Sequence, residues 1–223
     1  MKVLLVGYGR MGRLVEALAR EDGHQIAGRI TSASAGSEWP AADVAIDFSI
    51  ARAVPANLPR LAERGMPVVI GTTGWHQHEA ELRDVAARAG IGVVASANFS
   101  IGVNLFEAIV AEAARLMQSQ PDYGAWIHEL HHAAKKDAPS GTAILLRDAM
   151  KDAGFGRSID VSSTRAGSIP GTHAIGFDGP SDTIELTHTA RDRRGFAKGA
   201  LVAAAWVKDR CGWFTMKDVL RSL

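Results

Sequence analysis

The sequence predicts an α/β protein in which a doubly wound parallel sheet is interrupted by an inserted α+β unit. Short apolar runs that are typical of buried strands alternate with amphipathic helical segments over residues 1–100. A glycine-rich turn follows the first apolar run, and beyond residue 98 the pattern changes to a long helical segment and alternating segments. Strands that alternate with helices at this spacing are typical of βαβ units in a parallel sheet.

Residues 1–100 are predicted to alternate between strands and helices. Parallel strands that are buried on both faces are apolar throughout. Short segments predict strands at residues 2–6, 24–30, 44–48, 67–70 and 91–95, and of these residues 3–6 and 68–70 are apolar throughout. Apolar residues at helical spacing predict helices at residues 11–20, 51–64 and 76–89.

The second region mixes long helices with strands. The pattern predicts helices at residues 103–118, 141–153, 200–208 and 216–223, and strands at residues 125–130 and 159–164. Residues 183–189 alternate apolar and polar positions, as a half-exposed antiparallel strand does. We therefore predict a dinucleotide-type domain of residues 1–100 plus 198–223, and an inserted domain of residues 101–197.

Composition excludes several classes of protein. The 223 residues carry a formal net charge of +1, which argues against a nucleic-acid partner because no basic excess exists to neutralise phosphates. Cys211 is the only cysteine, so we expect no disulfide within the chain, no cysteine-rich metal site, and an inert buried thiol. No apolar run approaches the roughly 18 residues of a membrane span, and glycines interrupt the N-terminal apolar run. We expect a soluble, cytoplasmic protein.

The glycine-rich turn predicts a Rossmann-type dinucleotide site. Gly7-Tyr8-Gly9-Arg10-Met11-Gly12 fits G-x-G-x-x-G between a strand and a helix. Gly7 permits the tight turn, Gly9 lets a pyrophosphate approach the backbone, and Gly12 lets the helix pack closely. The helix N-terminus offers free N–H groups to phosphates. The alternative is a glycine-rich turn that binds no ligand.

The end of the second strand bears on the type of cofactor. An acidic residue there would bind the ribose hydroxyl of NAD, and the sequence has none. Thr31 or Ser32 could instead bind a 2′-phosphate, and Arg29 could neutralise it if its side chain faces that way. NADPH is therefore predicted at least as readily as NADH.

Two later turns follow strands at the edge where open α/β sheets bind ligands. In Asp47-Phe48-Ser49, Phe48 could pack on a nicotinamide ring. In Gly71-Thr72-Thr73-Gly74, Gly71 and Thr72 offer backbone and hydroxyl partners for its carboxamide or ribose. Either segment alone could be a plain loop.

Residues 129–142 hold two histidines, two lysines and two acids, followed by a Pro-Ser-Gly-Thr turn and an apolar helix. Ser140 is a candidate N-cap. The first-turn N–H groups and the Thr142 hydroxyl would form an anion cradle that suits a carboxylate, and Lys135 could add a positive charge. A histidine can donate a proton near neutral pH.

This cluster has two alternative interpretations, a metal site and a solvated loop. His131 and His132 are adjacent, so on a strand they point to opposite faces, and no further ligand follows at zincin spacing; we predict no metal. A solvated charged loop explains neither the paired histidines nor the Ser-Gly-Thr helix start. A proton donor beside a carboxylate cradle and a reduced cofactor suits the reduction of an imine or conjugated C=N bond.

The chain resembles the 4-hydroxy-tetrahydrodipicolinate reductase family over nearly its whole length. The most specific shared segment is Glu129-x-His131-His132-x-x-Lys135-x-Asp137-Ala138-Pro139-Ser140-Gly141-Thr142-Ala143. The other shared segments are Gly7-Tyr8-Gly9-Arg10-Met11-Gly12, Asp47-Phe48-Ser49, Gly71-Thr72-Thr73-Gly74, Asn98-Phe99-Ser100-Ile101-Gly102-Val103-Asn104, Arg165-x-Gly167-x-Ile169-x-Gly171-x-His173, His188-x-Ala190, Arg193 and Phe196-Ala197-x-Gly199-Ala200.

The resemblance implies a function for each domain. Residues 1–100 plus 198–223 would bind NADH or NADPH, and residues 101–197 would bind substrate and assemble a homotetramer through their sheet. The hydride would pass from the nicotinamide to an unsaturated dicarboxylate, yielding tetrahydrodipicolinate in diaminopimelate and lysine biosynthesis. Where many members carry an acid at the end of the second strand, this chain has Thr31 or a neighbour.

The resemblance also implies residue roles. His131 would be the proton donor or acceptor, and Lys135 the second proton donor. The substrate would contact His132, Lys135, Ser140, Gly141 and Thr142. The cofactor would contact Gly7, Arg10, Met11, Gly12, Gly71, Thr72, Thr73, Ala97, Asn98 and Phe99, in addition to Gly9, Thr31 and Phe48 from the motifs above.

Two other functions stay open at this point. One is a related Rossmann reductase or amino-acid dehydrogenase that acts on a different small substrate. The other is a catalytically silent nucleotide-binding protein, which would bind cofactor without substrate-dependent oxidation. The presence of every group that the chemistry needs argues against the silent protein.

Overall fold

A computed structural model describes residues 1–34 and 36–222, and Leu223, the end of the predicted closing helix, lies outside them. The chain divides into two compact units. We call residues 1–101 with residues 193 onward the N-terminal unit, and residues 102–192 the inserted unit. The predicted boundary between residues 197 and 198 falls inside a helix that begins at Arg194.

The N-terminal unit is built on a six-stranded sheet in the order β10-β5-β4-β3-β1-β2. All of its strand pairs are parallel. The strands are β1 (Lys2–Val6), β2 (Gln25–Ile30), β3 (Val44–Asp47), β4 (Val68–Ile70), β5 (Gly92–Ala95) and β10 (Gly212–Phe214). The first five were predicted within two residues at either end, and β10 was missed because three residues carry too little pattern.

Helices cover both faces of this sheet, which confirms the doubly wound prediction. The face that carries Val3 and Leu5 packs against helices α1 (Arg10–Glu21), α6 (Arg194–Val207) and α7 (Met216–Arg221). The opposite face, with Leu4 and Val6, packs against α2 (Val54–Ala62) and α3 (Glu79–Ala89). Alternate residues of β1 thus enter two separate cores, as expected for a strand buried on both faces.

Several predictions for this unit differ from the structure in detail. The predicted helix 51–64 is a 3-10 turn (Ala51–Ala53) followed by α2, which has Pro55 in its first turn, where the missing N–H is harmless. Helix α6 begins six residues before its predicted start, because glycines and charges obscure the helical period there. The prediction of a buried thiol is wrong: Cys211 is exposed, and its Sγ donates to the carbonyl of Gly90 at 2.7 Å.

The inserted unit contains a four-stranded mixed sheet in the order β7-β6-β8-β9. Its strands are β6 (Gly124–His131), β7 (Ile159–Arg165), β8 (Thr172–Asp178) and β9 (Thr183–Thr189). Strand β6 pairs in parallel with β7, and the other pairs are antiparallel. Strand β8 was not predicted, because a glycine and polar residues interrupt its pattern.

Helices α4 (Ile101–Met117) and α5 (Gly141–Asp152) pack on one face of this sheet, which we call the inner face. Ile127, Ile175 and Phe177 face them in the core. Trp126 and His128 lie on the opposite, outer face and are partly exposed. Among the described residues, no helix is long and apolar enough to cross a membrane.

Candidate active site

The glycine turn after β1 is shaped by close backbone approaches. Gly7 has φ +90°, and a Cβ there would lie 2.4 Å from the carbonyl oxygen of Phe48. A Cβ on Gly12 would lie 2.2 Å from the carbonyl oxygen of Gly7. A Cβ on Gly9 would meet nothing within 4 Å, so the space beside this residue is open. Two glycines therefore pack the turn, and the third leaves room for a ligand.

A cleft of about 390 Å³ opens beside this turn. Four residues predicted to bind the cofactor line it, namely Gly7, Gly9, Thr31 and Phe48. Residues that line it without having been singled out include Tyr8, Ile50, Ala53 and Asn57. Arg10 and Met11 form the first turn of α1, where Gly9 at the N-cap has no side chain to satisfy the N–H groups.

The end of β2 shows why the sequence could not settle the role of Arg29. Its Nε donates to Glu16 at 2.6 Å, its Nη2 makes a second contact with the same carboxylate, and its guanidinium lies 5.3 Å from the Tyr8 ring centroid. This hydrogen bonding lowers the pKa of Glu16 to about 2. The structure thus gives Arg29 a carboxylate partner. Thr31 and Ser32 line the cleft.

Asp47 ties together the loops that follow β3 and β4. The buried carboxylate accepts from the Ser49 N–H at 2.8 Å, the Ser49 hydroxyl at 2.6 Å and the Thr72 hydroxyl at 2.9 Å. Its second oxygen accepts from the Asn57 side chain at 2.9 Å. The Thr72 hydroxyl therefore donates its proton to Asp47, which leaves it only as an acceptor for any cofactor group.

The Phe48 ring anchors the remaining predicted cofactor residues of this region. It lies on Gly71, where a Cβ would approach ring atom Cε1 to 2.1 Å, and it meets the buried Phe99 ring edge-on at 6.3 Å. Thr73 and Ala97 are exposed. Asn98 accepts from the Ser100 N–H at 2.9 Å, which shapes the turn before α4.

A buried ion pair organises the inserted unit at the end of β6. Glu129 is fully buried, and its carboxylate accepts from Arg165 at 2.9 and 2.6 Å and from the Ser140 N–H at 3.1 Å. It also contacts Nδ1 of His131. Burial opposes ionisation, but hydrogen bonds from Arg165, Ser163, His131 and Ser140 lower the pKa of Glu129 to about 2. Glu129 is therefore a carboxylate throughout the physiological range.

His131 is held between this carboxylate and a second histidine. Its ring meets His173 edge-on, with centroids 5.2 Å apart. Burial lowers the pKa of His173 to about 4, so this second ring is neutral at pH 7. His173 Nε2 lies 3.0 Å from the Ser140 hydroxyl.

Ser140 caps α5, as predicted. Its hydroxyl accepts from the Ala143 N–H at 3.1 Å, and its own N–H donates to Glu129. Ser140 is 2% exposed, so its polar groups already have partners inside the unit. Gly141 is exposed and Thr142 is half-buried in the first turn of α5. Of the predicted carboxylate cradle, these two residues are therefore accessible to a ligand.

Lys135 lies in the loop between β6 and α5, where its Nζ donates to both oxygens of Asp137 at 2.8 Å. This bond lowers the pKa of Asp137. The Asp137 carbonyl in turn accepts from Arg165 at 2.6 Å. Arg165 thus connects the Lys135 loop with Glu129. His132 is half-buried at the start of the same loop.

Glu129, His131 and His173 place one ligand atom each within 4.8 Å of one another. From the sequence, the candidate metal ligands were His131 and His132, and this trio was not predicted. Both carboxylate oxygens of Glu129 accept from the Arg165 cation, which is unsuited to a metal ligand set. The prediction that the site uses no metal stays a prediction.

Glu129 and Arg165 appear in the shared segments, but sequence reasoning gave them no role. The signal for Glu129 was its spacing of two residues from His131, which places both side chains on one face of a strand. Arg165 faces His131 in the register of β6 and β7. That register could not be read from the sequence.

A parallel sheet with an open glycine turn is typical of dinucleotide-binding oxidoreductases, and a buried carboxylate beside a histidine suits proton transfer. A family profile described as "Dihydrodipicolinate reductase, N-terminus" matches residues 1–99, and one described as "Dihydrodipicolinate reductase, C-terminus" matches residues 102–220. The chain belongs to the dihydrodipicolinate reductase family, which confirms the resemblance seen in the motifs. It is an oxidoreductase of the reduction step in diaminopimelate and lysine biosynthesis.

Individual relatives agree with this assignment. The chain is 38% identical to the 4-hydroxy-tetrahydrodipicolinate reductase of Christiangramia forsetii, over 100% of this chain and 99% of that protein. It is 36% identical to the enzyme of the same name from Zymomonas mobilis, over 99% and 97% of the two chains. A solved structure, dipicolinate-bound dihydrodipicolinate reductase from Paenisporosarcina, superposes with a TM-score of 0.80 at 20% identity, covering 96% and 97% of the chains, and supports the fold.

Proposed function

We propose that this enzyme reduces 4-hydroxy-tetrahydrodipicolinate, by way of dihydrodipicolinate, to tetrahydrodipicolinate with NADH or NADPH. The observation that carries the proposal is the buried Glu129 beneath His131, beside the N-terminus of α5. This arrangement supplies a proton-transfer group and an anion cradle in one unit. Family membership over both units supports the choice of a dicarboxylate substrate.

The inserted unit would bind the dicarboxylate and handle protons. The N–H groups of Gly141 and Thr142, with the Thr142 hydroxyl, would hold one carboxylate at the N-terminus of α5. His132 and Lys135 would add positive or hydrogen-bonding groups. His131 would donate or accept the proton, and Lys135 would be the second proton donor. Ser140 would act from behind, since its hydroxyl and N–H both point inward.

The N-terminal unit would hold the cofactor, which supplies the hydride. The open space beside Gly9 and the N–H groups at Arg10 and Met11 fit a pyrophosphate. The Phe48 and Gly71 loops would contact the nicotinamide half, together with Thr72, Thr73, Ala97, Asn98 and Phe99. At the ribose end, the described lining residues include no carboxylate. We therefore propose that both NADH and NADPH are accepted.

We also propose a cytoplasmic homotetramer. Trp126 and His128 lie partly exposed on the outer face of the inserted sheet, and the helices pack on the other face. A Cβ on Gly176 would approach Trp126 to 2.1 Å, so the indole lies flat against its neighbouring strand. A sheet face with a partly exposed aromatic side chain suits association between copies.

A direct assay tests the activity. Enzymatically generated 4-hydroxy-tetrahydrodipicolinate is supplied with NADH or NADPH, and loss of the reduced nicotinamide absorbance is followed. We expect oxidation that depends on the substrate with both cofactors. Cofactor binding without oxidation would identify a silent nucleotide-binding protein. Cofactor oxidation only with a different hydride acceptor, such as a 2-oxo acid with ammonia or an aldehyde, would identify a related reductase or amino-acid dehydrogenase.

A further inference from the structure

We propose that Glu129 is a positioning residue, which fixes His131 with its proton on Nδ1 and leaves Nε2 as the ring atom that exchanges a proton with the substrate. The inference deepens the proposed function and rests on it, because it assumes that His131 takes part in the reduction. It assigns a role to a carboxylate that is completely buried.

The hydrogen bonds of Glu129 determine which proton His131 carries. One carboxylate oxygen accepts from Arg165 and faces Nδ1 of His131, and the other accepts from Arg165 and the Ser140 N–H. An ionised carboxylate can only accept, and with a pKa of about 2 Glu129 is ionised at neutral pH. Nδ1 must therefore be the donor in this contact. A neutral ring with its proton on Nδ1 has its free lone pair on Nε2.

Arg165 makes the carboxylate rigid. Its two terminal nitrogens donate to the two oxygens of Glu129 as a planar fork, and they also donate to the carbonyls of Thr164 at 2.9 Å and Asp137 at 2.6 Å. A bidentate pair of this kind fixes orientation as well as charge. The cation also compensates the buried anion, which would be strongly destabilising alone.

The other side of the His131 ring is kept clear. A Cβ on Gly171 would lie 3.1 Å from Nε2 and 3.3 Å from Cδ2 of His131, so any side chain at this position would crowd the reactive edge. The His131 side chain is 12% exposed, whereas Glu129 is completely enclosed. The ring therefore reaches solvent only on the side that does not face the carboxylate.

The test compares Glu129→Gln with Glu129→Asp. Glutamine keeps the size but loses the charge and an acceptor, whereas aspartate keeps the carboxylate at a shorter reach. We expect Glu129→Gln to lower kcat by about 10²-fold, with the KM for cofactor unchanged, because His131 loses its fixed orientation. Glu129→Asp should recover about tenfold of that loss. Asp148→Asn, which removes an exposed pair with Arg147 in the same unit, is the control and should change neither constant.

Nitrogen-15 NMR of the histidine rings gives a readout that does not need turnover. The His131 signals are assigned by their loss in His131→Gln. We expect a protonated Nδ1 and a bare Nε2 in the wild-type protein, and a shift of the proton towards Nε2 in Glu129→Gln.

The outcomes separate the inference from the proposed function. A wild-type protein that does not reduce the dicarboxylate would contradict the proposed function, whatever the ring spectrum shows. An active wild type whose His131 carries its proton on Nε2 would overturn the inference, even if Glu129→Gln failed to fold. Equal kcat values for Glu129→Gln and Glu129→Asp, or a Gln variant within about twofold of wild type, would also overturn it.

Discussion

The glycine turn of the N-terminal unit is shaped by residues without side chains, whereas the polar cluster of the inserted unit is shaped by buried charged side chains. The turn works through missing side chains: Gly7 and Gly12 allow backbone segments to touch, and Gly9 leaves space for a ligand. The cluster works through buried side chains with fixed charges, above all Glu129 and Arg165. Holding a dinucleotide needs shape and N–H groups, whereas transferring a proton needs a titratable group whose orientation is fixed.

The largest effect that separates the two regions is expected for His131→Gln. Removing the proton-transfer group should lower kcat by about 10²–10⁴-fold. The Kd for NADPH, measured by fluorescence titration, should not change. His24→Gln, just before β2 and at the opposite end of that strand from the cleft, is the control and should keep full turnover. Near-normal turnover of His131→Gln would remove this residue from the proposed chemistry.

The two regions should also differ in their response to acid. The pKa of His173 is about 4 in the folded inserted unit against an ordinary 6.5, so the unfolded state binds more protons between these values. The free energy of unfolding should therefore fall as pH falls through this window, by about 2 kcal/mol at pH 5 and about 3 kcal/mol near pH 4. In the N-terminal unit, Glu16 has a pKa of about 2 against 4.5, so its contribution is lost only below about pH 4.5.

Amide hydrogen exchange at pH 7 and pH 5, corrected for intrinsic rates, measures this difference. Protection should fall in the inserted unit and hold in the N-terminal unit. His173→Gln should flatten the dependence of the inserted unit over this range. Equal losses of protection in the two units would contradict the assignment to His173.

Gly12→Ala and Gly9→Ala should separate packing from ligand space within the turn. A Cβ at residue 12 collides with the Gly7 carbonyl, and overpacking of this kind costs about 1–3 kcal/mol of unfolding free energy. Gly9 has φ −81°, which any residue adopts, and open space, so its alanine variant should keep its stability. It should nevertheless bind cofactor more weakly. Urea denaturation and cofactor titration measure the two effects, and equal destabilisation by both variants would contradict this division.

The smallest effect is expected at the ribose end of the cleft. Thr31→Glu would place a carboxylate where the sequence has none, so it should accept the ribose hydroxyl of NADH and repel the 2′-phosphate of NADPH. The ratio of kcat/KM for NADH over NADPH should rise about tenfold. Thr31→Gln, which has the size without the charge, is the control. An unchanged ratio in Thr31→Glu would show that residue 31 does not face the ribose.

The sequence predicted elements that are continuous in the chain, but it did not predict contacts between residues that are far apart in the chain. Strand β1 and the glycine turn are continuous in the chain, so their pattern is complete in a short window. Strand β8 was missed because a glycine and polar residues interrupt its pattern, and only its pairing with β6 and β9 identifies it as a strand. Arg29 illustrates the same limit. Its position in β2 was predicted, but its hydrogen bond to Glu16 on α1 was not.

The candidate site shows that limit in its chemistry. The sequence pointed to His131 and Lys135 because a histidine can donate a proton and a lysine can add a positive charge beside a helix N-terminus. The partner of Glu129, Arg165, comes from a strand whose register with β6 no periodicity reveals. Cys211 was predicted to be buried because free cysteines usually are. It lies just before the short edge strand β10, which does not cover it, and it is exposed.

The order of segments in the N-terminal unit has a consequence for synthesis on the ribosome. Strand β10 and helices α6 and α7 complete this unit but come after the whole inserted unit in the chain. A nascent chain that has emerged only to residue 101 exposes the free edge of β5 and the apolar surface that α6 later covers. The inserted unit is continuous, so it can fold once residue 192 has emerged, whereas the N-terminal unit must wait for α6, β10 and α7.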